Sequence, residues 1–262
     1  MKVDKNKKFV MLTVKELADY SKKGLEWTKK YGNRGGPSGW AADPDNGSLD
    51  QRVAGQFDWA VKEIAKFKLD PKGGNVESLQ PEFEFGLLDG TEVDMDQYMI
   101  HNPRCLGRVV HSTPPSGERV INLALCVGMS AASPAAELAR NSAAVLAVAK
   151  KYDDAGYEVK LHVVCPLLTC GDIRLVIVDC SQSSIGQVIS MSCSALVFRT
   201  LMFDAMEEQI NTSPKNAEAI SRLQNSGYLQ KVKAEIKRCV GADTKVIFTG
   251  SSESQVMEEI SK

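Results

Sequence analysis

Residues 118–262 predict an α/β core with a mixed sheet, mostly parallel and carrying one antiparallel edge strand. Three observations predict it. Val120 to Val127 and Val159 to Cys165 are apolar, β-branched runs on either side of one long helical pattern. Only about six residues separate Cys165 from the next apolar run, Asp172 to Asp179, too few for the crossover that a parallel return needs. Helical patterns then lead to a last short strand, Lys245 to Thr249.

Each element has its own signals. Between the first two strands, Ser133 and Pro134 suit an N-cap and first helical turn, and Glu137 lies near the positive end. Leu138, Val145, Ala149 and Tyr152 recur at helical spacing, Lys150 and Lys151 fill the last turn, and Gly156 suits the stop. Strand, helix and strand then form a right-handed parallel crossover. Residues 182–210 read as helix, broken near Ser192 or Ser194. Ser213-Pro214 opens a further helical region, interrupted at Gly227 and ending at Gly241. Ser252 with Gln255 makes a capping box for the last helix.

Residues 1–117 predict an α-rich part with short strands, packed on that core. Residues 14–31 look helical, with Leu17, Tyr20, Leu25 and Trp27 among lysines. The Gly-rich run 32–39 and the turn chemistry of 40–48 form a loop. A second helix spans about Leu49 to Phe67. Phe83 and Phe85 alternate with Glu82 and Glu84 as on a half-buried strand, and Asp89-Gly90 signals a hairpin turn. Asp94 to Ile100 suits a short helix and Cys105 to His111 another strand.

The formal net charge of −1 does not by itself point to a nucleic-acid or membrane partner. No apolar run reaches the length of a membrane span, and the Lys-rich start lacks the apolar segment of a secretion signal. Seven cysteines without a Cys-x-x-Cys pair read as buried thiols of a cytoplasmic protein. The charge is uneven: residues 1–40 hold ten Lys and Arg against four Asp and Glu, so the rest of the chain carries −7.

The order of elements over 118–262 resembles the von Willebrand factor A-like fold. In that family the first strand ends in Asp-x-Ser-x-Ser, which holds a divalent cation. Here Cys126 stands for the aspartate and Gly128 for the first serine, and Ser130 alone matches. A hard cation needs several charged or carbonyl oxygens, so the resemblance implies the fold without the metal. The chain also resembles proteins of tailed bacteriophages, among them the single-stranded DNA-binding transcription factors of N4-like phages, which recruit the phage RNA polymerase.

The best binding candidate is the basic N-terminal stretch. Lys22, Lys23, Lys29, Lys30 and Arg34 are interleaved with Trp27, Tyr31 and Trp40. Cations beside planar side chains suit single-stranded nucleic acid. The bland alternative has Trp27 and Trp40 anchoring helices while the lysines are solvated. The loop from Gly128 to Ser133 lies where α/β folds bind anions, but no phosphate-loop motif occurs, and small residues there also serve close helix packing. His101 and His111 flank Cys105 without zinc-like spacing. Ser181, Ser183 and Ser184 follow Asp179 without a nucleophile elbow and suit a helix cap. The acidic run Glu82 to Asp96 suits a solvated face. The expectation is a non-enzymatic macromolecule-binding protein without cofactor. Its sharper form holds single-stranded DNA and recruits a polymerase or other protein. The alternative is a protein-only adaptor, such as a partner of an AAA+ ATPase.

Overall fold

The computed structural model describes residues 1–3, 8–23, 25–31, 43–66, 82–87, 92–93, 95, 99–101, 103–104, 106–110, 120–127, 135–154, 157–169, 172–212, 226–249, 251 and 253–261. The chain forms two compact units. The larger takes residues 1–74, 121–150 and 159–262, and the smaller takes 75–120 and 151–158. This differs from a division near residue 117, because the N-terminal residues belong to the larger unit.

The strands are β1 (Lys2–Val3), β2 (Phe9–Thr13), β3 (Glu82–Leu87), β4 (Glu92–Val93), β5 (Leu106–Val110), β6 (Val120–Cys126), β7 (Glu158–Thr169), β8 (Asp172–Asp179) and β9 (Lys245–Phe248). The larger unit is built on a six-stranded, mostly parallel sheet in the order β1-β2-β8-β7-β6-β9. β8 runs antiparallel to β7, with His162 opposite Asp179 and Thr169 opposite Asp172, as the short connection requires. β9 lies parallel to β6. β2 was not expected as a strand. It pairs parallel with β8, Phe9 opposite Leu175 through Thr13 opposite Asp179. Phe9, Val10 and Leu12 are buried, so this short run packs both faces of its strand.

β7 continues through Pro166, four residues past the expected end at Cys165. The pairing explains why proline fits. Leu175, opposite Pro166, donates its N–H to the carbonyl of Lys8, just before β2, rather than toward β7. In such an antiparallel pair Pro166 also turns its nitrogen away from β8, toward the β6 side. There β6 ends at Cys126, and the Val127 N–H bonds the Val164 carbonyl, 2.8 Å.

The helices of the N-terminal half are shorter than expected: α1 (Val14–Ala18), α2 (Tyr20–Lys23), α3 (Glu26–Tyr31), α4 (Leu49–Val53) and α5 (Asp58–Lys66). Those that follow are α6 (Ala135–Asp154), α7 (Ile185–Cys193), α8 (Ala195–Arg199), α9 (Leu201–Ile210), α10 (Ser226–Val240) and α11 (Glu253–Ser261). Ser194 marks the break after α7, and Thr200 adds a second one before α9. Gly227 lies inside α10 rather than interrupting it. Residues 213–225 and Ser252 lie outside the described residues. One sheet face packs Phe9, Ala124, Cys126, Val164, Leu175 and Ile177 against Val232 and Ile236 of α10. Among the described residues no single helix is long and apolar enough to cross a membrane.

Residues 43–56 are tied down by a buried ion pair. Asp43 Oδ2 accepts from Arg52 Nε (2.6 Å) and Ser194 Oγ (2.6 Å), while Oδ1 accepts from the Leu196 N–H at the start of α8. Arg52 also reaches Asp45 and the Gln56 carbonyl and lies 3.9 Å from the centre of the Phe57 ring. Both partners are almost fully buried. Burial pushes the Asp43 carboxyl up, against the opposing pull of Ser194 and Arg52.

The smaller unit contains a three-stranded antiparallel sheet in the order β3-β5-β4. β3 and β4 therefore flank β5 instead of pairing with each other, and Asp89-Gly90 lies in the connection between them. These two residues, and most of 94–100, lie outside the described residues.

Candidate macromolecule-binding surfaces

The basic N-terminal helices are built around α9. Leu25, which precedes α3, has no side-chain acceptor to cap that helix. Asp204 of α9 supplies it. Its Oδ1 accepts from the Trp27 N–H (3.0 Å), and its Oδ2 from the Thr28 N–H (2.8 Å) and the Thr28 hydroxyl. Asp204 is 1% exposed, and burial raises its carboxyl above the usual range while these donors oppose the rise.

Trp27 is only 8% exposed and meets Phe203 edge-on, centroids 5.1 Å apart at 79°. The expectation that it offers a stacking face to bases does not hold for this position, because the indole is part of the core under α9. Lys23 Nζ bonds both oxygens of Glu208, at 3.1 and 2.8 Å, and lies 3.9 Å from the centre of the Tyr20 ring. Tyr20 is buried, and burial pushes its phenol up to about 12. Lys22 is exposed and 3.2 Å from Asp19. Lys29 is exposed. Lys30 and Tyr31 continue α3 in backbone, with their side chains outside the described residues, as are Arg34 and Trp40 altogether.

Cys126 closes β6 at 1% exposure, and burial pushes its thiol far up. Its side chain belongs to the apolar layer under α10. Gly128, Ser130 and Ser133 lie outside the described residues. Cys126, Cys165, Cys180, Cys193 and Cys239 are buried. Among the described residues no group of three His, Cys, Asp or Glu side chains could hold a metal ion.

His162 and Asp179 face each other across β7 and β8, Nε2 to Oδ1 3.8 Å. Asp179 Oδ1 accepts from the Ser181 N–H (2.9 Å) and hydroxyl (2.6 Å). The serine donates to the carboxylate and not to the imidazole, so the group forms a turn rather than an activated nucleophile. Ser184 caps α7 in a capping box with Gln187, as the serine run suggested.

Two surfaces emerge that sequence reading missed. In the smaller unit Met95, Met99 and Ile100 are 60%, 70% and 68% exposed. Their helical spacing had suggested only a short helix. In the larger unit Lys8, Asp172, Ile173, Lys231, Ala234 and Glu235 line a hollow of about 240 Å³. These residues lie far apart in sequence, and only the pairing of β2 with β8 under α10 brings them together.

Residues 59–228 match the model of a family described as a domain of unknown function (DUF7192). The match covers more than half of the 262 residues, and the chain belongs to that family. No curated protein and no solved structure matches the chain. The match takes in β3 to β8 but leaves out β2 and β9, which flank that part of the large sheet.

Proposed function

We propose that the protein is a non-enzymatic macromolecule-binding protein that docks a protein partner. The observation that carries this reading is the exposure of Met95, Met99 and Ile100. Large apolar side chains exposed to water favour association, and methionine adapts its shape to varied partners. The test is photo-crosslinking in cells of origin, comparing the native chain with M95E/M99E. A partner captured by the native chain and lost from a variant with unchanged thermal midpoint supports docking there. Equal capture by both chains removes the assignment.

The second reading is a nucleic-acid accessory factor, supported by the exposure of Lys22 and Lys29. Burial of Trp27 and engagement of Lys23 by Glu208 weigh against a binding groove on α2 and α3. The finer forms are a phage-type transcription or replication factor that recruits a polymerase to single-stranded DNA, and an adaptor for an AAA+ ATPase built on a von Willebrand A-like core. The strand order β8-β7-β6-β9, with β8 antiparallel to β7, is compatible with that core.

A further inference from the structure

We infer that the face formed by α10 and the adjoining ends of β2 and β8 binds the phosphate backbone of a single-stranded nucleic acid. This rests on the nucleic-acid reading but moves the binding face away from α2 and α3. Five cations from four elements or their ends meet here. Lys8 Nζ lies 3.8 Å and Arg174 Nη2 3.5 Å from opposite oxygens of Asp172. Lys231 borders the same hollow as Lys8 and Asp172. Arg238 bonds Glu235 at 2.9 Å, and its guanidinium lies 5.8 Å from the centre of the Phe9 ring. Lys2 Nζ lies 5.9 Å from the same ring. Among the described residues, Asp172 and Glu235 are the carboxylates paired with these cations.

The existing pairs do not block a ligand. Asp172 is half exposed, and exposed pairs of this kind contribute about 0–1 kcal/mol, so a phosphate can replace the carboxylate. The strand ends and α10 give the cations fixed positions, and the hollow of about 240 Å³ between them admits a backbone phosphate. Tyr228, half-buried against the core layer under α10, carries Lys231 Nζ 5.4 Å from the centre of its ring. Cations clustered around a hollow suit a single strand, whose phosphates they neutralise.

The experiment is a fluorescence-anisotropy titration of the full chain with labelled oligothymidylate of about 20 nucleotides, longer than the ~4–16 that one module covers. Duplex DNA and vesicles of anionic phospholipid serve as the other arms. Binding should weaken steeply with salt. K8A/K231A/R238A should weaken it more than tenfold and lower the salt slope by about 2, at roughly 0.7 for each phosphate no longer neutralised. K22A/K29A should leave it unchanged. If the triple variant fails to fold, K8Q/K231Q, which keeps Arg238 over Phe9, decides. Oligonucleotide binding lost only in K22A/K29A overturns this site while keeping the nucleic-acid reading. Absence of binding at low salt, or binding to vesicles alone, overturns both.

Discussion

Asp204 does for α3 what Leu25 cannot, and the fold of the basic stretch depends on it. Replacing Asp204 with Ala leaves two buried N–H groups and the Thr28 hydroxyl without their acceptor. Each such loss costs about 1–3 kcal/mol, so urea unfolding of D204A should show a loss of at least that size. Arg52→Ala should cost more, about 3–5 kcal/mol, because Asp43 then remains buried without its counter-ion. His162 and Asp179 set the response to acid. Burial lowers the His162 pKa, and the attraction of Asp179 does not cancel that. The unfolded chain therefore binds the proton more readily, and stability should fall as pH drops below about 6.5. For Asp179 burial acts upward, but the Ser181 bonds and His162 outweigh it, so its pKa is lowered. Its contribution is present above the usual carboxylate range and is lost at lower pH, as pH falls through the folded value. H162Q should flatten the upper part of a stability-against-pH curve and leave the lower part, measured by urea midpoints.

Elements show the same division between local and distant causes. β6, α6, β7 and β8 were legible because period, caps and connection length are local signals. The single helices expected over 14–31 and 49–67 are broken, because their apolar residues meet several separate partners: Leu17 and Tyr20 in the core, Trp27 against Phe203, Leu49 buried beside Arg52. β2 was hidden, since five residues among lysines become a strand only when β8 offers an edge. Close backbone approach was equally invisible. Gly186 in the first turn of α7 lies against Gly55, and a Cβ at 186 would stand 2.5 Å from the Gly55 carbonyl oxygen. Gly55 itself has φ of +82°, which favours glycine. Gly186→Ala should push these backbones apart and cost about 1–3 kcal/mol, seen as a lower thermal midpoint.

At the scale of the molecule, sequence reading found the charge asymmetry but not where the charge is used. Lys23 and Trp27 read as a binding pair because spacing cannot reveal that Glu208 and Phe203, nearly 200 residues on, occupy them. The cluster of Lys2, Lys8, Arg174, Lys231 and Arg238 was out of reach for the converse reason, since it exists only after β2, β8 and α10 have assembled. The two units separate the proposed roles: apolar docking in the smaller, phosphate binding in the larger. The most direct test of the second role is lysine acylation footprinted by mass spectrometry, with and without oligothymidylate at low salt. The account predicts that Lys8 and Lys231 become protected while Lys22 and Lys29 react as before. Protection of Lys22 and Lys29, with Lys8 and Lys231 unchanged, would contradict it and return the binding face to the N-terminal helices.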